Sequence, residues 1–490
     1  MNSIFTKGMT FVDDLGRERV FHGINFVYKG NYDETTKKMN YIPDWSYEQF
    51  LWCKENGFNL IRLGLIWDGV EHEKGVYNTH YLDWISQVLD WCQACGIYAY
   101  LDMHQDLYSC LYSDGAPKWA TLTDDQPHVE GNLWSDAYLF SGAVQRAFTN
   151  FWNNATIDED GGVLDYYIRM WSHVIKRFVD HPAVIGFDFL NEPSPGEKGL
   201  DIFASLLGGY AKATGSTMTL EEILSAFSDP TTKHELLKTF DDKELYTQMV
   251  KAGEPLVAHF DTNILQPFYT KMTRALRRIT SKGIVMLENN YFSNLGIPCH
   301  LSPLTDVSGK REPLQAYAPH GYDLVVDTPD IVYASNNRVD VIFDTHRQVQ
   351  EQLNTPVIVG EWGAHSMYSE GLSHIDYLLN KFDHYKWSHT YWCYHPNIEN
   401  APVIEFLRRP YPQAICGEII AYGYDNQTST FTLSWQEEAL TSDHIIYVPN
   451  TPKHIDLDGP YTLTPIDSTS SQILTIPSIG HITRKVTLIL

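Results

Sequence analysis

The chain has 490 residues, 43% of them hydrophobic, with 36 Lys and Arg against 61 Asp and Glu for a formal net charge of −25. That supplies apolar material for a large core, and the acidic balance excludes nucleic acid and anionic membrane surfaces as electrostatic partners. The length exceeds one ordinary domain, although (β/α)8 barrels run past roughly 250 residues as a single unit.

Residues 1–14 lack the apolar core of a signal peptide, and no apolar run is long enough to cross a bilayer, so a cytoplasmic protein is expected unless a leader has been trimmed. Residues 11–20 read as a hairpin turning at Asp14–Gly16, of the kind that closes a barrel floor. Residues 21–26 form a first strand leading to Lys29. A helix over 46–56 stops at Gly57, and a second strand at 59–64 carries Arg62. Residues 81–95 have apolar positions at helical spacing and end at Gly96. Cys92 and Cys95 have redox-motif spacing at the end of that helix, but seven scattered cysteines fit reduced, buried thiols better than a disulfide framework. The third strand, 97–103, delivers His104 and Asp106 at its tip, and an aromatic loop over 107–152 precedes a helix at 163–179.

The stretch Val184-Ile-Gly-Phe-Asp-Phe-Leu-Asn-Glu-Pro193 is a short apolar run closed by Asn191, Glu192 and Pro193. Aliphatics throughout, with turn residues after them, predict a parallel strand buried on both faces with Glu192 at its carboxyl tip. Residues 197–254 read as an insertion, a lid or wall of the substrate cleft, followed by a barrel helix over 259–280. Strands follow at 284–288, at 314–319 leading to His320 and Tyr322, at 357–360 leading to Glu361, and at 390–393 with Trp392 at the tip. Eight strands alternating with helices predict an α/β fold, a (β/α)8 barrel over residues 1–412. From 413 to 490 the composition turns to Thr, Ser, Ile and Val with alternation and turn signals, which predicts a small antiparallel β-sandwich.

Two glutamates at the ends of two different buried strands are the equipment of a retaining glycosidase, whose carboxyls stand about 5–5.5 Å apart. Glu192 is assigned as acid/base, with Asn191 beside it to bond the sugar 2-OH, and Glu361 as nucleophile. Arg62 is placed to lower the pKa of Glu361 by charge pairing, and Tyr322 to donate to the same carboxylate. His104 and His320 are donors to sugar hydroxyls, Trp392 offers a ring face, and Lys29 and Asp106 hold further hydroxyls. The chemistry calls for no metal and no organic cofactor. A non-catalytic carbohydrate-binding barrel would lack one of the two glutamates; both are present.

Arg62, His104, Asn191, Glu192, His320, Tyr322, Glu361 and Trp392, in this order on successive strands, resemble the signature of glycoside hydrolase family 5. Within it the segments 22–29, 101–106, 114–121, 148–153, 188–193, 317–320 and 409–412 look most like the endoglycoceramidase and glycosylceramidase branch. The resemblance implies a retaining (β/α)8 enzyme with a C-terminal β-sandwich that cleaves the β-linkage between sugar and ceramide. It also implies a glycolipid or related small amphiphilic glycoside as substrate; transient contact with a membrane or micelle surface is a separate expectation about such a substrate. The insertion is longer than the family pattern leads one to expect. Its bulk near the cleft leaves open a monoglycosylceramide enzyme or, as an alternative, a β-glucosidase of steryl or other hydrophobic-aglycone glucosides; a cellulase-like polysaccharide hydrolase is the more distant alternative.

Overall fold

The structure is a computed structural model and describes residues 1–35, 38–365, 368–467 and 469–490. Eight parallel strands run around a barrel: β1 (His22–Phe26), β2 (Leu60–Ile66), β3 (Tyr98–His104), β4 (Val184–Asp188), β5 (Ile284–Leu287), β6 (Gln315–Tyr317), β7 (Ile358–Val359) and β8 (Ser388–Tyr391). Neighbours in sequence pair as neighbours in space, and β8 returns to β1. Single parallel bridges, Tyr317 with Val357 and His320 with Glu361, join β6 to β7 and close the ring.

The unbroken apolar runs follow from this closure. Leu60, Tyr98, Tyr100, Ile185, Ile284, Met286 and Ile358 point into the barrel, whereas their neighbours Ile61, Leu63, Ala99, Leu101, Phe187, Val285 and Val359 point out to the helices. Both faces are dry, so alternation of polar and apolar residues disappears. The helix Thr79–Cys95 shows how the outer layer is specified: Asn78 caps it by accepting from Tyr81 N, a stripe of Tyr81, Leu82, Ile85, Val88, Leu89 and Cys92 is buried, and Gly96 ends it at φ 74°. Its cysteines are free thiols within this packing, and Cys92 is fully buried.

β4 is shorter than its sequence suggests. The strand ends at Asp188 because the next carbonyl, Phe189 O, is taken by the Tyr167 hydroxyl at 2.5 Å and Trp171 Nε1 at 3.1 Å. Phe189, Leu190 and Asn191 then carry the chain to Glu192 outside the ladder.

The N-terminal hairpin has two attachments. Ile4 and Phe11 pack with Phe21, Leu60 and Tyr98 and fill the barrel floor. The same strands, Ile4–Lys7, Thr10–Asp13 and Glu18–Arg19, extend a seven-stranded sheet with Tyr411–Ile415, Asp443–Val448, Gln472–Pro477 and Thr462–Pro465. The C-terminal sheet therefore draws strands from both ends of the chain. It packs on a four-stranded sheet through Ile419, Phe431, Leu433, Trp435, Ile446 and Leu474.

The insertion is helical: Gly199–Thr214, Leu220–Ser228, Pro230–Phe240 and Lys243–Phe260, with a π-helical turn, Asp261–Leu265, leading into Gln266–Ile279. Position 254, the expected end of the insertion, thus lies inside the helix Lys243–Phe260, which also contains Pro255. The first and last of the four helices cross closely because Gly209 faces Ala252, where a Cβ would come within 2.6 Å of the Ala252 Cβ. The unit docks on loops of the carboxyl face of the barrel. Tyr246 Oη donates to Leu295 O at 2.9 Å, and the buried Arg338 donates to Leu237 O at 3.1 Å and to Asp323 Oδ2 at 2.8 Å.

Candidate active site

Glu192 occupies a left-handed turn at φ 45°, a conformation that non-glycine residues keep only when their surroundings impose it. Neighbouring strands impose it here. Asn191 N donates to Met103 O at 3.1 Å, Gln105 Nε2 to Asn191 O at 2.8 Å, Tyr291 N to Pro193 O at 3.1 Å, and Glu192 N to Glu288 Oε1 at 2.5 Å. Pro193 removes a donor from a turn whose other polar groups are already placed.

Across the barrel mouth, Glu361 leaves β7. One carboxylate oxygen of Glu361, one of Glu192 and a ring nitrogen of His320 all lie within 4.8 Å of one another. His320 Nδ1 faces Glu192 Oε1 at 3.1 Å and Glu361 Oε2 at 3.6 Å, while its Nε2 lies against Gly360. His320 therefore stands between the carboxylates and not out in the cleft.

The two carboxyls have different partners. Glu361 accepts from Arg62 Nη1 at 2.7 Å and from the Tyr322 hydroxyl at 3.0 Å. Glu192 Oε1 accepts from Asn294 Nδ2 at 2.7 Å, and the Asn294 carbonyl oxygen is itself held by Asn289 Nδ2 at 2.7 Å. Burial pushes Glu192 up to about 8, helped by Asp106 and opposed by Arg62 and Lys29. Burial also raises Glu361 to about 7, against the pull of His320 and Arg62. The charge pairing expected of Arg62 is present, but desolvation outweighs it. Of the two, Glu361 gives up its proton first, because the guanidinium touches it.

Arg62 is fully buried and also meets Asp102 at 3.1 Å, Asp188 at 3.0 Å, Glu288 at 3.4 Å and the Asn191 Oδ1 at 2.8 Å. Asn191 is thereby oriented: its oxygen is occupied, one N–H goes to Gln105 O at 3.1 Å, and the second N–H is left for a ligand. Burial keeps His320 neutral, its pKa lowered to about 3, and holds His104 well below its usual value.

The remaining expected residues gather at one side of the pair. His104 Nδ1 meets Asp102 Oδ2 at 2.9 Å, its buried Nε2 makes no hydrogen bond but faces Asp106 Oδ2 at 3.9 Å, and its ring stacks near Trp392 at 5.4 Å and 18°. Lys29 pairs with Asp106 and lies 5.5 Å from the Trp392 ring and 5.6 Å from that of Trp134. Burial works against the Lys29 charge, but Asp106 and Asp114 outweigh it and hold its pKa above the usual range. Among the described residues, three sets of ligand-type atoms lie within 4.8 Å: His104, Asp106 and Asp114; Asp188, Glu288 and His320; Glu192, His320 and Glu361. In each, Lys29 or Arg62 already supplies the positive charge that a metal would bring.

All ten residues singled out in the sequence converge on this mouth. Glu288, Asn294, Asp102, Asp188 and Trp134 were not among them. Glu288 carried a readable signal, since Ile284-Val-Met-Leu-Glu288 is a third short apolar run ending in Glu. The reach of Asn294 to Glu192 had none, because it depends on the fold of the loop after β5.

Residues 32–398 match the family described as cellulase, glycosyl hydrolase family 5, and residues 409–475 match the glycoside hydrolase family 5 C-terminal domain. The chain belongs to glycosyl hydrolase family 5. An endoglycoceramidase of Cyanea nozakii is 31% identical over 218 residues, which covers 40% of this chain and 42% of that relative. The chain thus spans less than half the length of that curated family member. Endoglycoceramidase I of Rhodococcus hoagii is 23% identical over 465 residues, 91% of this chain and 80% of its own. In three dimensions the lactosyl-enzyme intermediate of endo-glycoceramidase II from Rhodococcus sp. superposes with a TM-score of 0.73 over 99% of both chains at 22% identity, a likeness of fold.

Proposed function

We propose that this family 5 protein is a retaining β-glycosidase that releases sugar from glycosphingolipids at the sugar–ceramide linkage. The observation that carries the mechanism is the meeting of Glu192 and Glu361 within 4.8 Å at His320, one carboxyl against Arg62 and the other against an amide. That separation suits a covalent intermediate and leaves too little room for the water of an inverting enzyme.

A Glu361 oxygen attacks the anomeric carbon as the bond to the aglycone oxygen breaks, and the Glu192 proton passes to that departing oxygen. Arg62 and Tyr322 stabilise the attacking carboxylate. The free Asn191 N–H donates to the sugar 2-OH, a bond that strengthens as oxocarbenium character develops. His104 Nε2, the Lys29–Asp106 pair and the Trp392 ring receive the rest of the sugar. Glu192, now ionised, takes a proton from water, which attacks the glycosyl-Glu361 ester and restores both glutamates.

The glycolipid substrate is supported by the relatives, both called endoglycoceramidase. Exposed Trp134, Phe140 and Leu200 on the loop after β3 and the first insertion helix give apolar surface for transient contact with a micelle or membrane. The test is turnover of fluorescent glucosylceramide, lactosylceramide and cellopentaose, recording the length and anomeric configuration of the released sugar. Retained β-sugar from a ceramide glycoside is expected; turnover of cellopentaose alone overturns the glycolipid assignment.

A further inference from the structure

We propose that Glu288 is a positioning residue that holds the backbone of Glu192 in its left-handed turn and so aims the carboxyl that protonates the leaving group. The inference rests on the acid/base role given to Glu192 above.

Glu288 follows β5 and is fully buried. Its own backbone is pinned by one hydroxyl: Glu288 N donates to Tyr269 Oη at 2.9 Å, and that hydroxyl donates to Glu288 O at 2.9 Å. From this fixed base its Oε1 accepts from Glu192 N at 2.5 Å. Among the described residues this is the bond made by the Glu192 N–H itself; the other ties on the turn go to Asn191 and Pro193. A left-handed conformation is unfavourable for a non-glycine residue. Loss of this bond leaves a buried N–H unpaired and removes the constraint on φ at the residue whose carboxyl must reach the substrate.

Charge counting says how a carboxyl tolerates this place. Asp102, Asp188, Glu288 and Glu361 all meet the single Arg62 guanidinium, at 3.1, 3.0, 3.4 and 2.7 Å. Glu288 is the farthest, and burial with Asp188 beside it pushes its pKa well above the ordinary value. A protonated Glu288 donates to Asp188, with which it is hydrogen-bonded, and accepts from Glu192 N. Neutral, it adds no charge to repel Glu192.

Leaving-group chemistry separates this role from a structural one. A 2,4-dinitrophenyl glycoside departs without a proton, whereas an alkyl glycoside or a glycosylceramide needs one. Glu288→Leu is expected to lower kcat/KM about 100-fold on the alkyl glycoside, the scale of general-acid catalysis, and less than about 3-fold on the dinitrophenyl glycoside. Glu288→Gln, which keeps both an acceptor for Glu192 N and a donor for Asp188, is expected to recover most of that loss. Glu288→Asp keeps the carboxyl but falls one methylene short, so the same split is expected in smaller measure should the Leu variant not fold. Equal losses on both substrates for Glu288→Asp, or no loss on either, overturn the proposal. Glu192→Gln serves as the control: without a leaving-group split there, the acid assignment itself fails, whatever Glu288 does.

Discussion

Arg62 Nη1 touches Oε1 of Glu361 at 2.7 Å, and this contact makes two glutamates in one buried site chemically unlike. Glu361 ionises near 7 and Glu192 near 8. Below about pH 7 the nucleophile is protonated, and above about pH 8 the acid is lost, so kcat/KM should follow a narrow bell with its maximum between those values. A plateau extending to pH 5 would show that Glu361 ionises far lower than its burial implies.

Azide separates the two roles. Glu361→Ala should lose roughly 10⁴-fold or more in kcat on a 2,4-dinitrophenyl β-glycoside and, with azide in the vacated space, yield the α-glycosyl azide. Glu192→Ala should form the glycosyl-enzyme and yield the β-azide. Product configurations the other way round would exchange the assignments.

Stability should oppose activity at Glu192. Its pKa rises from an ordinary 4.5 to about 8 on folding, so the folded state holds the proton more tightly. The contribution is fully present below about pH 4.5 and is lost as pH rises through about 8. Glu192→Gln removes the titration, so it should match wild type at pH 4 and exceed it above pH 8 by on the order of 5 kcal/mol. Thermal scans at the two pH values check this; an equal difference at both would leave the buried proton out of the account.

Trp134 Nε1 donates to Asp327 Oδ2 at 3.2 Å and ties the loop after β3 to the loop after β6 beside Lys29. Removing the bridge would open the mouth beside Lys29 to a further sugar ring. Trp134→Ala is expected to raise the kcat/KM ratio of lactosylceramide over glucosylceramide by about 10-fold. An unchanged ratio in competition assays would assign the bridge no part in substrate length.

Much of the barrel was legible because burial on both faces leaves an unmistakable trace: short aliphatic runs such as 184–190 and 357–360, stopped by polar tips. Strand ends were less so. Nothing local in Phe189 announces that Tyr167 and Trp171 will take its carbonyl and end β4 at Asp188. The insertion boundary expected at 254 falls inside the helix Lys243–Phe260, which packs on Gly209 through Ala252.

The sequence by itself determined the period of the strands, the identity of the groups at their tips and hence the kind of chemistry available, since these depend on residue type and spacing along the chain. Tertiary structure alone decided that residues 4–19 share a sheet with residues 411–477, that Arg62 serves several carboxyls at once, and that Glu288 and Asn294 reach Glu192. Those contacts join positions that are distant in sequence, from Arg62 with Asp102 to strands at opposite ends of the chain. Which of several acids keeps its proton is set by distance and desolvation in three dimensions, and neither quantity is encoded in any one segment.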